Sequence, residues 1–454
     1  MRTLMCCVTL LGGIGLAFAS RADEPKDGPV IESEGVIHHV AGVDSGADGD
    51  VPTVKNPSNA RAETVPLKPI DPELVSQFAT RLREEAFAGH AETLEELTEL
   101  LKTRSTSNLE PLVEPLFKLS GWGGASRHNS RLAEYLIVWM GELAVPWLEG
   151  RVIWSDGHDR RVAAELLTRI GPADAALAHL LCPLLTDSDE FVRRVAIDGL
   201  GIVGPAASDF VDDLESAAKN DPKLSLRVCA RITLIKITGA SEERVRALAA
   251  FLEMKDEAEA GPRGKIKQSD IEAAASHAAS ALGKMGPKAQ AATPILLVAL
   301  QDPTMRHIAA RTLGEIGSKS PEAIAVLIDI LKHDPENEVR RSAASALGDF
   351  GPAAKDAIPA LRQELNGDPK RGWWLAADTL GKIGGEDVVP ILIEALENRD
   401  GDIRRASMRA LGDLGTLAQP AIAALEKARN DDPLSYNRAA AAEALPKIEK
   451  ASVQ

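Results

Sequence analysis

This chain predicts an all-α fold, an α/α superhelical solenoid of about ten two-helix repeats behind a disordered N-terminal linker, and three observations carry that reading. Four 12-residue segments restate one another: RRVAAELLTRIG (160–171), RRVAIDGLGIVG (193–204), RRSAASALGDFG (340–351) and RRASMRALGDLG (404–415). A small residue near the middle of each unit (Ala133, Ala163, Ala196, Ala230, Ala278, Ala309, Ala343, Ala376, Ser407, Ala441) recurs at steps of 30, 33, 34, 48, 31, 34, 33, 31 and 34 residues. Periods of this length signal stacked repeats. Finally, 454 residues at 44% hydrophobic and 26% charged form a globular composition, which excludes wholesale disorder and a polytopic membrane protein.

Taken in order, residues 1–19 read as a signal peptide. Arg2 supplies a positive start, Leu4 to Ala19 is uncharged, and Ala17-Phe18-Ala19 offers a small-x-small cleavage pattern. The run is shorter than the ~18 apolar residues of a spanning helix. An uncleaved N-terminal anchor is the alternative. The expected location is extracytoplasmic, periplasmic or secreted, with no membrane span after cleavage. Cys6 and Cys7 leave with the signal, so Cys182 and Cys229 are expected as free, buried thiols.

Residues 20–70 are dense in Pro, Gly and Asp and show no period, the composition of a disordered linker. A calcium loop numbered from Asp44 fails, because Gly46 and Lys55 stand where an oxygen ligand and a Glu are needed. Residues 71–126 look helical but lack the repeat signature, and are expected to form an N-terminal cap. Trp122, Trp139, Trp147 and Trp154 are expected to fill the junction between that cap and the first unit.

The repeats run over residues 127–449, with 450–454 as a tail. Val339, Ala343, Leu347 and Phe350 are spaced four, four and three residues apart, placing one apolar stripe along a helix. Gly351 and Pro352 end it. A second helix follows, opened by proline at Pro294, Pro359, Pro390 and Pro420. Asp-Pro at 302–303, 334–335, 368–369 and 432–433 then begins the next unit, with Asp expected to cap. The 48-residue step holds an insertion at about 254–270. The Leu-Gly-x-x-Gly ends read as helix stops and not as a nucleotide cradle.

Asp-Pro, Val-Arg, Ala-Ala and Leu-Gly-x-x-Gly in this arrangement resemble a HEAT repeat of the short type named for phycobilisome (PBS) lyases. The resemblance implies second helices along the concave side. It also implies an Arg–Asp ladder between units, whose arginines here are Arg160, Arg193, Arg227, Arg306, Arg340, Arg404 and Arg438. Deoxyhypusine hydroxylase, another resembling enzyme, holds iron through His-Glu pairs, and none of the nine histidines here precedes a Glu.

Function follows from what remains. A net charge of −15 and only 16 aromatic residues (8 Phe, 6 Trp, 2 Tyr) argue against a nucleic-acid partner. No zinc-spaced Cys/His set, phosphate loop or nucleophile elbow is present, so no catalytic, cofactor or metal residues are expected. The expected role is a non-catalytic scaffold for a protein or peptide ligand, a basic one being the complement of the acidic second helices. Its candidate contacts are Asp329, Arg362, Glu364, Glu394 and Glu397 on second helices, with Trp373 and Trp374 as anchors. Two alternatives remain: a HEAT-fold enzyme related to bilin lyase or deoxyhypusine hydroxylase, and a self-assembling envelope protein.

Overall fold

A computed structural model describes residues 70–84, 89–101, 108–120, 127–171, 174–254, 267–318, 320–365 and 374–450. The expected signal peptide, all but residue 70 of the expected linker, Trp122, the middle of the insertion, Asp368-Pro369, Trp373 and the tail lie outside those residues. Among the described residues every regular element is helical.

Three helices come first: α1 (Pro72–Glu84), α2 (Gly89–Leu101) and α3 (Glu110–Ser120). Helix pairs follow: α4 (Arg127–Met140) with α5 (Val145–Trp154), α6 (Gly157–Ile170) with α7 (Ala175–Leu181), and α8 (Glu190–Val203) with α9 (Val211–Asn220). Next are α10 (Leu224–Thr238) with α11 (Glu242–Ala249), α12 (Gln268–Met285) with α13 (Thr293–Ala299), and α14 (Arg306–Glu315) with α15 (Pro321–His333). The last pairs are α16 (Asn337–Asp349) with α17 (Ile358–Leu365), α18 (Trp374–Ile383) with α19 (Val388–Ala395), and α20 (Gly401–Asp413) with α21 (Ile422–Asp431), before the single helix α22 (Ser435–Lys450). Even-numbered helices from α4 onward are the first of their unit. The tenth unit therefore contributes only its first helix.

The apolar stripe explains each first helix. In α16 the residues Val339, Ala343 and Leu347 are wholly buried, and Phe350 just beyond it is almost so. Successive first helices meet through small residues: a Cβ placed on Gly314 would lie 2.7 Å from Ala346 Cα, and one on Gly412 would lie 2.9 Å from Ala444 Cα. The two glycines of Leu-Gly-x-x-Gly therefore differ in role. Only the second is a stop, with φ of +64° at Gly317 and +59° at Gly351. The first sits inside the helix and sets how closely units approach.

Two local expectations are corrected. The Asp of Asp-Pro does not cap its helix directly; Asp302, Asp334 and Asp432 accept from the backbone N–H two residues on (2.8, 2.8 and 3.0 Å), an Asx turn that leads into the helix. Several second helices also begin as 3-10 turns, at Gly204–Phe210, Gly286–Ala292, Gly351–Ala357 and Gly415–Ala421. Ala354, at φ −92° and ψ 21°, marks a kink inside one such segment, Gly351–Ala357, ahead of α17.

Two apolar clusters fill the stack. They meet on α10, which gives Leu226, Cys229, Ala230, Leu234 and Ile237 to one and Leu224 and Val228 to the other. Buried apolar positions thus run from Ile70 to Ile448 through neighbouring helices, the arrangement expected when no helix pair can hide its stripe alone.

Candidate functional site

The arginines at the start of the first helices build a connection between units. Arg193 Nε and Nη2 donate to both carboxylate oxygens of Asp221, at 2.7 and 3.1 Å, in a buried bidentate pair. Arg404 does the same to Asp432, at 2.7 and 3.1 Å. Arg160 pairs with Asp187, and Arg306 lies 2.9 Å from Asp334. Each Asp belongs to the loop that opens the following unit. The second attachment runs backward, to carbonyls of the arginine's own loop: Arg193 Nη1 to Asp187 O (3.0 Å), Arg404 Nη1 to Asn398 O (2.9 Å), and Arg438 Nη1 to Asp432 O (2.7 Å).

Arg227 and Arg340 make that backward bond, to Asp221 O (2.7 Å) and Asp334 O (2.6 Å). The pairing shows in proton affinity. The Arg404 hydrogen bond holds the Asp432 carboxyl below the usual range, and Asp221 and Asp432 raise their arginines further.

The charged residues of the second helices also bridge units. Arg362 Nη2 on α17 donates to Glu394 Oε2 on α19 at 2.7 Å, and Lys427 on α21 lies 2.8 Å from Glu397. Arg244 on α11 lies 3.3 Å from Glu215 on α9. Asp329 meets His333 within α15, at 2.9 Å. Glu364 is half-buried on α17. Three carboxylates that an acidic groove would offer, Glu215, Glu394 and Glu397, are thus partnered by bases from an adjacent second helix. All these side chains are solvated, so each pair contributes little stability.

The aromatic residues divide. Trp147 fills the cap junction as expected, with its ring 4.9 Å edge-on from Phe117 and Arg151 stacked 4.6 Å over it. Trp154 does not: it is 81% exposed, because two residues past the buried Val152 it lies on the opposite face of α5. Trp374, at the first position of α18, is 48% exposed. Its neighbour Trp373 lies outside the described residues. Val298 on α13, 58% exposed, was not singled out from sequence, although the uncharged run TPILLVA was a signal for it.

Cys182 and Cys229 are free thiols. Cys229 is buried and its thiol is pushed up to about 11, chiefly by that burial, which makes it a poor nucleophile at neutral pH. Cys182 is only half-buried, contrary to expectation, and donates to Asp213 Oδ2 at 3.5 Å. Among the described residues no group of three or more His, Cys, Asp or Glu could hold a metal ion, and no helix is long and apolar enough to cross a membrane.

Comparison with known proteins adds the family pattern. That of HEAT repeats matches residues 265–348, 293–373 and 358–446. Residues 265–446 carry HEAT repeats. No curated protein sequence matches it. Among solved structures, this HEAT-repeat chain is similar to Kap95p, seen in a complex with RanGDP, at TM-score 0.55 and 12% identity over 84% of this chain and 55% of Kap95p. It is likewise similar to importin beta, at TM-score 0.54 and 14% identity over 84% and 57%. The chain therefore spans little more than half of each, and the likeness is one of fold. Human deoxyhypusine hydroxylase reaches only TM-score 0.26 at 19% identity over 75% of this chain and 97% of that one.

Proposed function

We propose that this HEAT-repeat protein is an exported, non-catalytic scaffold that captures a protein or peptide partner on the surface of its second helices. The observation that carries the proposal is the pairing itself. Arg–Asp bonds at four junctions, together with the packed first helices, fix neighbouring units against each other, so the second helices stand as a pre-ordered row and binding pays little for ordering it. Kap95p, a chain of similar fold, binds RanGDP, which is a precedent for a solenoid of this kind holding a protein. We assign the repeats to the short phycobilisome-lyase type on their Asp-Pro, Val-Arg and Leu-Gly-x-x-Gly motifs. The apolar run at Leu4 to Ala19 supports export.

Partner polarity belongs to the same reading. Asp212 and Asp213 add carboxylates on α9, and a chain of −15 attracts a basic partner at long range. Crosslinking in the native compartment, followed by identification of the captured chain, tests the proposal. With Glu394→Lys and Glu397→Lys together, capture of a basic partner should weaken while the melting temperature barely moves, since both pairs are exposed. Capture that is indifferent to the reversal contradicts the electrostatic part. The purified protein should carry neither stoichiometric iron by metal analysis nor a covalent tetrapyrrole by absorbance. Finding either would replace the scaffold with a HEAT-fold enzyme.

A further inference from the structure

We infer that the cleft between the second helices α11, α13 and α15 receives the C-terminal end of a partner chain, taking its free carboxylate beside Lys288 and Arg246 and its last apolar side chain against α13. The inference rests on the scaffold reading only in taking the occupant to be a protein.

The cleft has a volume of about 860 Å³ and lies where three successive first helices turn into their second helices. Its floor is small and apolar, with Ala291 and Pro294 among its lining residues. Its charged residues are Arg246, Lys288 and Glu242. Arg246 Nη2 lies 3.1 Å from Glu242 within one helix, so those two offset each other. Lys288 is exposed and has no ion-pair partner among the described residues. One uncompensated positive charge therefore remains at the cleft of a strongly acidic chain, and a carboxylate is its complement.

The apolar half of the site is α13. Its sequence TPILLVA has no charged residue, and it carries the exposed Val298 one helical turn from Pro294. Residues four apart share a helix face, so Pro294, which lines the cleft, and Val298 form one continuous apolar ridge leading out of it. The rise between them is about 6 Å. Lys288 and Pro294 line the same cleft, so a C-terminal residue can serve both by itself, because its side chain and its carboxylate branch from one Cα. An internal Asp or Glu next to an apolar residue fits worse, since adjacent side chains of an extended segment point to opposite sides.

The test selects a library of random peptides displayed with free C-termini against the full chain. The enriched peptides are then measured by fluorescence anisotropy as free acids and as C-terminal amides. The inference expects peptides ending in an apolar residue, at least tenfold weaker binding for the amide, and a similar loss with Lys288→Glu. Val298→Asp should also weaken binding tenfold or more, with helical content and melting temperature checked alongside, while Lys447→Glu on α22, in the tenth unit, should change nothing. No enrichment, equal binding of acid and amide, or indifference to Lys288→Glu would overturn it. In any of those cases, partner crosslinks elsewhere on the solenoid would leave the scaffold reading standing.

Discussion

At the scale of single residues, buried Arg–Asp pairs tie together the junctions where they occur, as at Arg193–Asp221 and Arg404–Asp432. Arg404 donates two hydrogen bonds to Asp432, which also accepts from Leu434 N and Asn437 Nδ2, so its carboxylate is fully served. Removing one partner leaves a buried charge, which costs roughly 3–5 kcal/mol. Arg404→Met should therefore lower the unfolding midpoint of the C-terminal units in denaturant; a midpoint unchanged from the parent would show that the pair is dispensable. The pH dependence has a definite sign. Asp432 titrates below the usual carboxylate value of 3.8, so its contribution is complete above that value and is lost as pH falls through the lower, folded pKa. Acid unfolding below about pH 4 should thus be less steep in Asp432→Asn. The arginines were legible in sequence because each stands at the same place in its unit. Their carboxylate partners lie 27 or 28 residues downstream, beyond any local pattern.

At the scale of elements, the repeated glycines separate packing from turning. Gly314 has Ala346 Cα where its Cβ would go, so Gly314→Leu must push α14 and α16 apart, at a cost of ~1–3 kcal/mol or more. Gly317, at φ +64°, has open space around it, and Gly317→Ala should cost only the left-handed penalty of about 1–2 kcal/mol. Thermal unfolding of the two variants checks the order; equal effects would mean that units do not approach through Gly314. Helix existence was readable throughout, since a stripe at 3.6 spacing is a strong signal. The 3-10 openings were not, because runs such as GPAAKDA are compatible with an ordinary first turn, and nothing in that run marks the kink at Ala354. Exposure at Trp154 was hidden for a similar reason: composition shows an apolar ring, and only the buried face of α5, set by Leu148 and Val152, shows that the ring points away from it.

At the scale of the whole described stack, units touch only their neighbours, so stability should behave as a sum along a line. The binding surface follows the same logic. Sequence placed Arg362 and Glu394 together as charges on second helices, but only the stacking shows that they neutralise one another across a junction. Likewise the cleft beside α13 involves three units and has no signature within any one of them. Leu347 is wholly buried in α16, and Leu347→Ala should cost about 2–5 kcal/mol there. Native-state hydrogen exchange on that variant, read helix by helix, tests the account most directly. The account predicts that protection falls in α14 to α18 and is retained in α4 to α8; an equal loss in every helix from α1 to α22 would contradict it.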